Sequence, residues 1–364
     1  MSQLGLGMEP DTGAHARRDR RQGSGGRAVL VAVAALLAVG LAVFLGLRTI
    51  GGAATGQQFS GDGDGSATVV VAKGDSLRQI GQALAAAGVV ADEGSFTDAA
   101  QSDSRAQSIA PGTYTLRQHM SGEAAVALML DPASRQVKKL AIPEGWRMDR
   151  IIAAASKATG LSPDALKESL SRAGTLGLPA YAEGSPEGFL FPATYEFPPG
   201  VTSDQVVAAM LKRFQQAATD ADLEASAKAI GRTPLEVVTV ASILEIEGAP
   251  DDYDKVARVL YNRLDKGMRL QLDSTVNYAL GVSTLKLSAA QLKTDSPYNT
   301  YVTKGLPPGP INSPGDAALQ AALNPADGPW LYFVTTDPKT KKTEFATTYD
   351  QFLVLKKKFQ ANAG

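Results

Sequence analysis

The residues best placed to do chemistry are two acids closing an apolar run: Val240-Ala-Ser-Ile-Leu-Glu245-Ile-Glu247-Gly248. A carboxyl group carried into an apolar helix must be paired, held neutral or used, because burying an unpaired charge is costly. Apolar surroundings keep a carboxylic acid protonated near neutral pH, the state a general acid needs. Paired with an arginine, Glu245 would be structural; unpaired, it is an acid catalyst. Glu247 lies two residues on, roughly 200° around a helix, so the two acids are not expected to share a face. Glu247 is left to cap, to pair with Arg258 or Arg263, or to orient the site. Other chemistries are restricted by composition. There is no Cys, and the only two His are His15 and His119, so a Ser-His-Asp triad would depend on His119 alone. Neither His-Glu-x-x-His nor Gly-x-Ser-x-Gly occurs, and no metal or organic cofactor is indicated.

The element carrying these acids reads as a helix with a defined start and stop. Thr233 is the expected N-cap, Pro234 the first helical residue and Glu236 the third member of a capping box. Val237, Val238, Val240, Ala241, Ile243, Leu244 and Ile246 leave almost no polar face, which predicts a buried helix. Gly248 and Pro250 end it. Ala241 and Ser242, one turn before Glu245, are small. Further helices are expected at 148–159, from Ser162-Pro163 to about 173, at 203–217, at 223–230 and at 252–266. Strands are expected at 68–71, after Pro111-Gly112, and at 137–142. Lys73-Gly74-Asp75-Ser76, followed by Leu77, Ile80, Leu84 and Val89 at helical spacing, resembles half of a LysM module. An ordinary β-α element is the competing reading. The mixed order predicts an α+β fold. From about Pro186 the chain becomes mostly helical, and a buried acid at the end of a core helix resembles the lysozyme-like architecture, a likeness of fold alone.

The chain has 364 residues, 44% of them hydrophobic, and a net charge of −1, so no global field favours nucleic acid. Ala28 to Leu47 is uncharged and, at ~1.5 Å per residue, long enough for a hydrocarbon core of about 30 Å. Arg17, Arg18, Arg20 and Arg21 precede it, and after Arg48 the next basic residue is Lys73. The positive-inside rule then predicts a plasma-membrane protein with a single pass, a cytoplasmic disordered tail at 1–27 and everything after residue 48 outside. A cleaved signal peptide is the alternative. Residues 48–66 read as a Gly-rich flexible linker, 67–185 as a LysM-like α+β subdomain and 186–364 as the catalytic domain. Asp62-Gly-Asp64-Gly-Ser66 fails as a calcium loop, since Ala67 and Lys73 stand where Gly and Glu belong. Ser283-Thr-Leu-Lys286 lacks the companion motifs of penicillin-binding enzymes.

Several blocks together resemble one family. They are Pro143-Glu144-Gly145-Trp146, Glu187-Gly188-Phe-Leu-Phe-Pro192, Ala241 to Glu247, Asn262-Arg263-Leu264, Met268 to Tyr278, Pro297 to Tyr301, Gly305 to Ile311 and Leu331 to Val334. In this order, from about residue 67 to 360, they are similar to the YceG-like family, which includes endolytic murein transglycosylases. The sequence departs from the family's pattern at Ala193, usually Asp, and at Ser274, often Pro. The resemblance implies cleavage of the β-1,4 bond between MurNAc and GlcNAc within peptidoglycan glycan strands. It makes Glu245 the general acid and then the base that closes a 1,6-anhydro ring, with the small Ala241 and Ser242 one turn before it leaving room for a sugar. Gln271, Asp273, Tyr298, Asn299 and Tyr301 are the expected substrate contacts, with turn formation and packing as their other reading. Glu187 and Glu247 are expected to support the site, and Leu306-Pro307-Pro308-Gly309 to line the cleft. Expected partners are glycan strands, the membrane and peptidoglycan synthases. A non-catalytic peptidoglycan-binding scaffold stays open, as does a hydrolase of the same bond. The hydrolase would need a second carboxylate, for which Asp273 is the candidate.

Overall fold

The apolar residues that recur along the chain gather into two buried clusters. A computed structural model describes residues 58–284, 286–337, 340 and 342–362, and residues 59–364 form one unit. The tail, the apolar segment at 28–47 and most of the expected linker lie outside the described residues. Among the described residues no helix is long and apolar enough to cross a membrane.

The first cluster is built on a three-stranded sheet. β1 (Asp64–Val71) pairs antiparallel with β2 (Gly112–Gln118), Val69 opposite Tyr114, and a two-residue β3 (Arg135–Gln136) extends the other side. Two helices, α1 (Leu77–Ala86) and α2 (Glu93–Ser102), connect β1 to β2, and α3 (Gly122–Leu130) follows. Ser76 starts α1 through a capping box with Gln79, while Asp75 holds the preceding turn by accepting from the Ala72 N–H at 2.7 Å. Ile80, Leu84, Val89, Phe96, Tyr114 and Leu116 form the interior. β1 begins within the stretch expected to be linker, because Asp64 already pairs with Gln118 across the sheet.

The second cluster runs from Leu140 to Leu323. The packing therefore changes over between Met129 and Leu140, well before the change in sequence texture at 186. β4 (Lys138–Ile142) pairs antiparallel with β5 (Ala193–Phe197), Leu140 opposite Tyr195. Helices α4 (Met148–Thr159) and α5 (Pro163–Ser171) follow β4, and α6 (Ser203–Asp220) and α7 (Leu223–Ala229) follow β5. These stand close to their expected bounds. At the centre lies α8 (Pro234–Glu247), capped as expected by Thr233 and Glu236. Every side chain from Val237 to Leu244 is buried, including Thr239 and Ser242, because α8 packs against α7, α9 (Tyr253–Asp265), α10 (Asp273–Ala279) and α11 (Asp316–Leu323). Full burial was not continued to the end: Ile246 is 53% exposed. The last turn of α8 emerges from the core, and this brings Glu245 to a surface. A hairpin of β6 (Tyr332–Asp337) and β7 (Lys342–Ala346) and a terminal helix α12 (Tyr349–Asn362) complete the chain. The observed mixture of helices and small sheets is α+β.

Candidate active site

Glu245 reaches the surface between three segments that the fold brings together. Its Oε1 accepts the Gly315 N–H at 2.8 Å, and its Oε2 accepts the Tyr253 hydroxyl at 3.1 Å. Tyr253 comes close because Gly248 has no side chain: a Cβ there would stand 2.9 Å from the Tyr253 ring. Gly248 is thus needed for space, and its backbone conformation is extended rather than left-handed. The loop Ile311–Gly315 is fastened to α8 from below. Ser242 Oγ accepts the Ile311 N–H at 3.0 Å, and the Asn312 amide donates to the Ser242 carbonyl at 2.7 Å. Ser242, expected to leave space for a sugar, is instead fully buried and anchors this loop; Ala241 is buried beside it. The turn Pro143–Trp146 is clamped onto the same loop, Gly145 N–H to the Ser313 carbonyl and Ser313 N–H to the Trp146 carbonyl, each at 2.9 Å.

This turn places Glu144 beside Glu245. A Cβ at Gly315 would overlap the Glu144 carboxylate, and the Gly315 N–H holds Glu245, so ordinary bond lengths put the two carboxylates within about 8 Å. Burial raises the proton affinity of Glu245 above the usual carboxylate range. The Glu144 charge adds to the effect, while the hydrogen bonds from Gly315 and Tyr253 oppose it. No arginine pairs with Glu245 among the described residues. It is a half-buried acid biased toward its protonated form, and that form can donate a proton.

A cleft of about 450 Å³ opens alongside. Ile246, Gly145, Trp146, Ser274, Ile311 and Asn312 line it, with Arg147 and Arg150 at its margin. The Arg150 guanidinium stacks on Trp146 at 4.0 Å, and Arg147 donates to the Val282 carbonyl at 3.0 Å. Of the expected Leu306–Gly309 loop, none lines this cleft; the residues just after it do. The Ser283–Lys286 motif includes Leu285, which lies outside the described residues.

None of the other sequence-derived candidates lines this cleft; they fall into two groups, one next to Ser274 and one at Tyr278. In one, the Tyr301 hydroxyl donates to Asp273 at 2.6 Å, and the neighbouring Ser274 N–H points at Glu247 at 3.4 Å. Asp273 is exposed and held by Tyr301, and it is Glu144 that acts electrostatically on Glu245. Asp273 is therefore displaced by Glu144 as the candidate second carboxylate. Glu247 does not pair with Arg258 or Arg263, whose guanidiniums hold the carbonyls of Ala326 and Leu331. Burial, and secondarily the Asp273 charge, raise its proton affinity. Gln271 is exposed, with a left-handed backbone (φ 52°), at the entry to α10. In the second group, Tyr298 packs on Tyr278, ring centres 4.7 Å apart. Asn299 is fully buried, and its amide donates to the carbonyls of Leu292 and Thr294 and accepts the Tyr301 N–H. The side-chain amide of Asn299 is thus spent on its own loop, which fits the turn-forming reading of this residue.

Glu187 also belongs to the second group and is 5% exposed. It accepts the Met148 N–H at the start of α4 at 3.0 Å and the Tyr278 hydroxyl at 3.3 Å. Burial pushes its carboxyl up to about 7, against the lowering effect of those hydrogen bonds. A proton held more tightly in the folded chain stabilises the fold at low pH. That stabilisation is lost as pH rises from the ordinary carboxylate range to about 7, and nothing further is lost above it. The loss should be on the order of 3 kcal/mol. Urea unfolding at pH 4.5 and 8 should show it in the wild type and not in Glu187→Gln. Parallel behaviour of the two would mean that folding does not raise the proton affinity of Glu187.

The sequence blocks, the order of elements and the acid at the end of α8 converge with the comparisons. The YceG-like family model matches residues 69–358. The chain belongs to the YceG-like family. It is 31% identical over 301 residues to the endolytic murein transglycosylase of Streptococcus pneumoniae, covering 73% of this chain and 54% of that protein. It is 40% identical over 153 residues to the one of Bacillus subtilis, covering 41% of each. The chain thus spans about half the length, or less, of these curated relatives. The crystal structure of a YceG-like protein from Listeria monocytogenes superposes with a TM-score of 0.56 at 29% identity, covering 80% of this chain and 98% of that one. In this YceG-like chain, Tyr253, Gly315 and Glu144 are the site residues that sequence reasoning passed over. Glu144 stood inside a quoted block, and an acid in a turn before a Gly-aromatic pair was the signal available.

Proposed function

We propose that this YceG-like protein is an endolytic lytic transglycosylase of peptidoglycan, with Glu245 as its acid and base. The observation that carries the reading is the state of Glu245: half-buried, held by Tyr253 and the Gly315 amide, without a cation partner among the described residues, and flanked by Gly145 and Ile246, which line an open cleft. Its proton passes to the glycosidic oxygen of the departing GlcNAc as the bond to MurNAc C1 breaks. The resulting Glu245 carboxylate takes the proton of the MurNAc C6 hydroxyl, and O6 bonds to C1. The products are a free 4-hydroxyl and a 1,6-anhydro end, Glu245 is protonated again, and no water is consumed. Family membership and the names of the relatives support the substrate class.

Hydrolysis is the second reading, favoured by the presence of Glu144 as a neighbouring carboxylate, because glycosidases that use water work with a pair of acids. A scaffold would leave the unpaired Glu245 without a purpose. The finer parts of the proposal are a single-pass anchor at 28–47 with the catalytic part outside the cytoplasm, a lysozyme-like catalytic domain, a LysM-like first module, and action on nascent strands near synthases. The strand–helix–helix–strand order of β1, α1, α2 and β2 supports the LysM-like likeness. Size analysis of glycan strands during digestion by the full chain tests endolytic cutting: mean length should fall before any disaccharide accumulates. Early disaccharide with undiminished long strands would contradict it. Protease treatment of spheroplasts should remove the part after residue 48, and its protection would overturn the orientation.

A further inference from the structure

We propose that Glu144 is a second carboxylate of this site, acting on the reaction through Glu245 by its charge and taking no proton itself. The inference rests on Glu245 being the acid, as proposed above, and it begins at Gly315. The backbone of Gly315 (φ −89°, ψ 179°) is one that any residue adopts, so its glycine is not required for conformation. It is required for space: a Cβ would overlap the Glu144 carboxylate. One peptide unit thereby serves both acids. Its N–H faces Glu245 and its Cα hydrogens face Glu144. The Pro143–Trp146 turn is locked to the same loop by two backbone hydrogen bonds, so Glu144 is held there although it is exposed.

The charges around Glu245 are few. From α9 comes the Tyr253 hydroxyl, from the Ile311–Gly315 loop only an amide, and from the turn after β4 the Glu144 carboxylate. Asp316, next in sequence to Gly315, is engaged by Arg213 at 2.9 Å. Asp252, next to Tyr253, lies 3.8 Å from Lys255. Glu247 faces Ser274 on the far side of α8. Neither Glu144 nor Glu245 has an ion-pair partner among the described residues. An anion placed beside an acid disfavours its ionisation, so Glu144 keeps the proton on Glu245 until the glycosidic oxygen takes it. Substrate filling the cleft strengthens this by removing water.

The test compares wild type, Glu144→Gln, Glu144→Asp, Glu245→Gln and the double variant Glu144→Gln/Glu245→Gln, all as full chains in detergent. Activity that needs protonated Glu245 is lost as pH rises. Glu144→Gln should move that alkaline limb to lower pH, with a loss of less than about tenfold on the acid side, and Glu144→Asp should restore the limb. A loss of about 100-fold or more at every pH would make Glu144 a proton acceptor or nucleophile and overturn the inference. Thermal unfolding gives a readout that needs no activity. At pH 8 Glu144→Gln should raise Tm in the wild-type background and not in the Glu245→Gln background, and at pH 4 it should do neither. An unmoved limb, or no coupling between the two positions at pH 8, would reduce Glu144 to a surface acid. Wild type without any glycan cleavage would sink the transglycosylase reading, while the unfolding cycle would still judge the pairing.

Discussion

Glu245→Gln is expected to fold normally, to bind glycan and to lose turnover by about 100- to 10,000-fold, the usual contribution of a general acid. The amide keeps an oxygen for the Gly315 N–H, which now fastens Oε1 at 2.8 Å, so the loop Ile311–Gly315 has no reason to move. What disappears is the proton that the leaving oxygen requires and the carboxylate that would receive the C6 hydroxyl proton. Neither Tyr253 nor Glu144 can replace both functions in one position. Steady-state turnover on isolated strands, with Tm alongside, checks this. Retention of more than a tenth of wild-type turnover by a folded variant would remove Glu245 from the chemistry.

Gly188→Ala is expected to destabilise the fold by about 3 kcal/mol, from a left-handed backbone and an overpacked contact together. Gly188 has φ +88°, and a Cβ there would overlap the Pro310 ring. It lies between two structural anchors, Glu187 at the start of α4 and the fully buried Phe189, Leu190 and Phe191. Little on that side can retreat. Pro310 immediately precedes the loop that holds Glu245, so turnover should fall with stability. A drop in Tm of about 5 °C follows from the usual entropy of unfolding for a unit of this size. An unchanged Tm would show that the Pro310 loop yields freely, and the packing argument for a fixed site would fail with it.

Local chemistry made the central helix legible. The capping box of Thr233 and Glu236, Pro234 at the first position and an unbroken apolar run predict α8 to the residue at its start. The same signals could not show that the last turn leaves the core, because an apolar Ile246 looks alike whether it is buried or lines a cleft. Short elements were harder. The seven residues of α10 and eight of α11 carry too few turns for a period to be recognised. Asn299 shows the limit of reading residue type: an amide beside tyrosines suits a sugar, but this one closes its own loop. The pairing of Glu144 with Glu245 depends on Gly315, and all three come from different segments. No periodicity links them; only the folded chain does.

The proposed cleavage consumes no water, and the mass of the new chain ends measures that directly. Glycan strands digested by the full chain should gain MurNAc ends lighter than a reducing end by one water, and Glu245→Gln should produce none of them. Reducing ends from the wild type would instead establish a hydrolase and contradict the account.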